Sequence, residues 1–146
     1  MSRVRTFLTL PWGTKVGYLQ TVAMFAGAEV ALRVLPLASA ARIFRVTLVV
    51  GAPTAGCQPV ASPPVFNDRE RRAARLIFVV SPRLYGSRRG CLRRSLVLGC
   101  VLRRHAPQLQ IGVRRENDRT VAHAWIEIAG RPIEASFDHL AFSPAS

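Results

Sequence analysis

The stretch "TVAHAWIEIAG", residues 120–130, restricts the possible folds more than any other part of the chain. Its residues alternate, so an extended backbone sends Val121, His123, Trp125 and Glu127 to one side and Ala122, Ala124, Ile126 and Ile128 to the other. The second set is an apolar face suited to a core. The first puts an imidazole, an indole and a carboxylate in line on the opposite face, which predicts the wall of a cleft. Ala129-Gly130 then turns the chain into "RPIEAS". Upstream, "LQIGVRR" (109–115) reads as a partner strand and "ENDR" (116–119) as the connecting turn, so the unit predicted is an antiparallel meander.

Ahead of the meander the period changes to that of a helix. Cys91, Ser95, Leu98 and Leu102 recur at spacings that share one helical face, with Ser87 as the expected N-cap. Arg103, Arg104 and His105 stand where the macrodipole favours positive charge, and Pro107 ends the winding. A second helix is expected over Arg69 to Val80, capped by Asp68. From Lys15 to Val50 the alanine-, valine- and leucine-rich sequence predicts two helices interrupted at Pro36, where the backbone donor is lost. The proline-rich run from 51 to 68, which contains Cys57, reads as a long loop or linker.

The predicted architecture is therefore α+β. An N-terminal helical region and Pro-rich linker (1–67) precede a core (68–146) in which one Cys-bearing helix packs on a small antiparallel sheet. At 146 residues the two form a single compact unit.

Composition narrows the function. A chain 49% hydrophobic and 20% charged is globular, not disordered. The net charge of +13 comes almost wholly from arginine, with Lys15 the sole lysine. The pairs Arg71-Arg72, Arg88-Arg89, Arg93-Arg94, Arg103-Arg104 and Arg114-Arg115 suit phosphates, which makes nucleic-acid binding the rival reading from a different class. They are spread over several elements, with no reading motif and no interleaved aromatics, so nucleic acid is not the expected partner. A solvated face or docking to acidic partners is the plainer account. Three cysteines, Cys57, Cys91 and Cys100, without Cys-x-x-Cys spacing argue against a disulfide scaffold and a zinc site, and fit a reducing cytoplasm. The apolar run Val16 to Ala28 falls short of the roughly 20 residues of a membrane span, so no integral membrane segment is expected.

A thiol becomes a nucleophile when a helix N-terminus or an imidazolium stabilises its thiolate. Cys91 has the first by position, and His123 supplies the second if the strand crosses the start of the helix. Glu134 is the nearest carboxylate suited to orient the imidazole, with Asp138 the second choice. The plain alternatives are that Cys91 is a small buried residue and His123 a hydrogen-bonded strand histidine. Cys100, among Leu96, Val97 and Val101, reads as core, and His105 as a helix-end residue.

Residues 90–136, "GCLRRSLVLGCVLRRHAPQLQIGVRRENDRTVAHAWIEIAGRPIEAS", closely resemble the core of the stand-alone B proteins of lasso-peptide biosynthesis, which are transglutaminase-like, papain-related cysteine peptidases. Three pieces carry the likeness: "CL" opening a basic helix that ends in an arginine pair, "LQIGV", and "AHAWIEIAG". The resemblance implies a thiol protease that cuts the leader from a ribosomally made precursor peptide before a separate ATP-dependent cyclase closes the macrolactam. It implies Cys91 as nucleophile, His123 as general base and acid, and Glu134 in the place where relatives carry an aspartate. It also implies a separate leader-recognition protein, and no metal or other cofactor. An acyl transferase or a non-catalytic scaffold of the same fold are the alternatives within the family.

Overall fold

The computed structural model describes residues 12–50, 64–116 and 119–133. Its elements are α1 (Trp12–Val34), α2 (Leu37–Ile43), β1 (Thr47–Val50), α3 (Asp68–Arg89), α4 (Cys91–Val101), a single 3-10 turn (Arg103–His105), β2 (Gln108–Glu116), β3 (Arg119–Ile128) and β4 (Arg131–Ile133). The strands form one mixed sheet in the order β1-β2-β3-β4. β1 runs parallel to β2, and the remaining pairs are antiparallel. The α+β class expected from the sequence is the one found.

The hairpin follows the alternation read from the sequence. Ala129 (φ 52°) and Gly130 (φ 73°) both take positive φ, the requirement of a tight two-residue turn whose twist matches that of the strands. Ala124, Ile126 and Ile128 are buried, and across the sheet Leu109 stands opposite Ile126. Leu96, Leu98 and Leu102 of α4 and its continuation join this face, with Phe25 from α1 and Ile77 from α3. Gly99 is the point of closest approach: a Cβ there would lie 2.5 Å from Val46 Cγ2 and 3.2 Å from Ile126 Cδ1, so only glycine lets α4 settle this deeply.

Three local expectations are corrected. Thr47 to Val50 is a strand and not the end of a helix. Arg45 (φ 56°) breaks the winding, the β-branched Thr47, Val49 and Val50 favour extension, and the Thr47 N–H donates to the Pro107 carbonyl at 3.1 Å. The cap of α3 is Asn67, not Asp68: its side chain accepts from the Glu70 N–H at 2.9 Å while Glu70 accepts from the Asn67 N–H at 3.0 Å. That helix also runs past Val80 and through Pro82 to Arg89, with a break at Gly86 (φ 72°), so Ser87 lies within it and the N-cap position of α4 falls to Gly90. The break at Pro36 is as expected, with Pro36 heading α2. Cys57 and most of the Pro-rich run lie outside the described residues. Among the described residues, no helix is long and apolar enough to cross a membrane.

Candidate active site

α4 begins at Cys91, with Gly90 as its N-cap and the Arg94 N–H bonded to the Gly90 carbonyl at 2.8 Å. A Cβ on Gly90 would sit 2.9 Å from Ser81 Oγ and 3.3 Å from Tyr85 Cβ, so the glycine allows α4 to start directly against α3. Cys91 is half-buried and makes no disulfide. The first backbone N–H groups of a helix lack partners within it and carry the positive end of its dipole, an arrangement that favours a thiolate or an oxyanion.

The same turn is tied to the N-terminal helix. Arg93 is ion-paired with Glu29 of α1, which also holds Arg33 at 2.8 Å, and the Arg93 guanidinium lies 4.9 Å from the centre of the Tyr85 ring. Tyr85 in turn donates to the Phe25 carbonyl at 3.4 Å. The hydrogen bond from Arg93, aided by the charges of both arginines, holds the Glu29 carboxyl below its ordinary pKa against the opposing effect of burial. Arg93 is held fully cationic two residues from the thiol, chiefly by its bond to Glu29.

One turn after Cys91, the Ser95 hydroxyl donates to the Ala124 carbonyl at 3.0 Å in a buried contact. The strand geometry sets the direction in which that carbonyl points. Backbone groups alternate between neighbours along an antiparallel strand, and the two-residue turn directs those of Ile128, Ile126 and hence Ala124 towards the β4 side. Ser95 thus hooks α4 to the edge of β3 one residue from His123.

His123 occupies the other face of β3, half-buried, with its ring stacked on Trp125 at 5.7 Å and 17° between planes. The indole is itself fixed. Trp125 Nε1 donates to Glu127 Oε1 at 2.9 Å, and Gln110 Nε2 donates to Glu127 Oε2 at 3.0 Å. Gly112 leaves room for the plate, since a Cβ there would come within 3.1 Å of the indole. Histidine, indole, carboxylate and amide therefore form one chain across β3 and β2.

A family model for the transglutaminase-like superfamily matches residues 10–146. The chain belongs to that superfamily. No curated protein and no solved structure matches the chain significantly.

Transglutaminase-like proteins commonly include cysteine proteases and acyl transferases. In this member, Cys91 and His123 are carried by α4 and β3, which pack together. Glu134 and Asp138 lie outside the described residues. Glu127, to which the sequence reading gave no role, anchors the indole; its place two residues after Trp125, and so on the same face, was the available signal. Cys100, read as core, is only half-buried near the other end of α4. His105 does stand at a helix end, where its ring meets Glu70 at 3.3 Å and packs edge-on against Phe66.

Proposed function

We propose that this transglutaminase-like protein is a cysteine peptidase that removes the leader from a lasso-peptide precursor, with Cys91 as nucleophile, His123 as general base and acid, and Glu134 as the group that orients the imidazole. The observation that best supports the reading is the superfamily match over residues 10–146; α4, which Cys91 opens, packs on the inner face of β3, and the His123 ring stands on the outer face of the same strand. The sequence likeness of residues 90–136 supplies the substrate class. In this mechanism the Cys91 thiolate attacks the scissile carbonyl and backbone N–H groups at the start of α4 receive the oxyanion. The C–N bond then breaks as His123 gives its proton to the leaving amine. Water, deprotonated by His123, cleaves the thioester and frees Cys91. The stacked indole restricts how the imidazole can turn, and Glu127 restricts the indole.

The cyclase acts afterwards on the free N-terminus of the core peptide, and a separate recognition protein presents the leader. The test incubates the full chain with a lasso precursor and its recognition protein, and reads the products by mass spectrometry. Wild type is expected to give two fragments whose masses sum to precursor plus water, while Cys91→Ala and His123→Ala give none. A conjugate mass with an added amine would replace hydrolysis by acyl transfer. Unchanged cleavage by Cys91→Ala would overturn the assignment.

A further inference from the structure

A second feature lies away from Cys91, near the far end of α4. Val16, Gly17 and Met24 of α1, Leu76 of α3 and Val101 of α4 line a groove of about 930 Å³. Its floor is closed where α1 meets α3, since a Cβ on Gly17 would come 3.1 Å from Leu76 Cδ1. Exposed arginines border it from two elements, Arg69 and Arg72 on the first turns of α3 and Arg103 and Arg104 on the 3-10 turn. The carboxylate in its lining, Glu70, is already engaged by the Asn67 N–H and by His105. Among the described residues, Arg69, Arg72 and Arg103 have no carboxylate within 4.0 Å.

Asp68 and Glu70 satisfy the positive end of the α3 dipole, so Arg69 and Arg72 are surplus positive charge on the rim of the groove. An aliphatic floor inside a cationic rim requires an occupant with the inverse pattern, apolar side chains flanked by carboxylates. Nucleic acid fits less well, since among the described residues the lining contains no aromatic ring on which a base could stack.

We propose that this groove docks an acidic, amphipathic peptide segment. Cys100, in its lining, is nine residues along α4 from Cys91, about 14 Å at the helical rise. An extended chain covers that distance in about four residues. A docked segment therefore lies within reach of the thiol, and under the peptidase reading the groove holds part of the substrate to one side of the cut. The docking itself does not depend on that reading.

The test is fluorescence anisotropy on the full chain with a labelled three-turn peptide in which leucine repeats at helical spacing and glutamate fills the other positions. Cys91→Ala is expected to bind it as wild type does, so docking and catalysis fail separately. Arg72→Glu combined with Arg103→Glu, both at exposed positions, is expected to weaken binding at least roughly tenfold with an unchanged melting temperature. Leu76→Asp, which places a carboxylate on the floor, is expected to weaken it as well. A scrambled peptide of the same composition binding equally well would overturn the proposal in favour of a plain charged patch. Displacement by a single-stranded oligonucleotide at lower concentration than by unlabelled peptide would overturn it in favour of nucleic acid. Absence of binding at low salt would overturn it outright.

Discussion

The two faces of β3 are made from the same ten residues and do different work. On the inner face Ala124, Ile126 and Ile128 are aliphatic, buried and held by contact area, at about 25 cal/mol per Å² removed from water. On the outer face His123, Trp125 and Glu127 are half-buried; His123 stacks on the indole, while Trp125 and Glu127 are held by directed bonds, each worth about 0.5–1.5 kcal/mol net. The inner face sets whether the strand is there at all. The outer face sets how an imidazole is oriented once it is. Because alternation separates the two, the geometry of the polar chain can change with little loss of fold, and the fold can be weakened without touching that chain.

The sharpest break in this comparison is Ile126→Ala, which opens a cavity where the side chain is fully buried against α4. It is expected to cost about 2–5 kcal/mol in urea unfolding while leaving the outer-face contacts in the folded fraction. Gly99→Ala attacks the same face from the helix. Its Cβ would press on Val46 and Ile126, and the expected loss is about 1–3 kcal/mol by thermal or urea unfolding.

Glu127→Ala tests the opposite face. It leaves the indole N–H and the buried Gln110 amide without their acceptor, a cost of about 1–2 kcal/mol. Under the proposed function its kcat is expected to fall more than roughly tenfold with a smaller change in KM. A variant with full activity would remove the positioning role of the indole chain.

The smallest effect calibrates a polar group away from the strand. Burial alone would raise the pKa of Glu70, but the Asn67 N–H, His105 and Arg104 hold it below its ordinary 4.5. A depressed folded pKa stabilises the fold at and above the unfolded value, and that stability is lost as pH falls through the folded one. Glu70→Gln, which retains the reciprocal cap, is therefore expected to be about 0.5–1 kcal/mol less stable than wild type at neutral pH. That gap narrows progressively below pH 4.5, as read by thermal melts across pH.

Much of this was legible in the sequence because it is local. The alternation of residues 120–128 and the Ala129-Gly130 turn identify the hairpin, and the spacing of Cys91, Ser95, Leu98 and Leu102 identifies the helix that packs on it. β1 escaped because four residues carry no period, and its reason for being extended, the edge of β2, lies sixty-one positions away from Thr47 to Gln108. Ser95 was visible only as a member of a face, since the strand carbonyl that it meets, that of Ala124, lies twenty-nine positions away. The anchoring of Trp125 needed the knowledge that Gln110 stands opposite. The groove is less legible still, being assembled from α1, α3 and the end of α4.

The parallel pairing of β1 with β2 also bears on folding. The pairing of Thr47 with Gln108 closes a long loop that contains both α3 and α4. Such closure is slow compared with helix or hairpin formation, because its entropy is lost before its contacts are gained. During synthesis the thiol emerges before its helix has either of the strands it will meet. The surroundings of Cys91 are thus among the last parts of the molecule to form, and whatever reactivity they confer is withheld until the chain has committed to its topology.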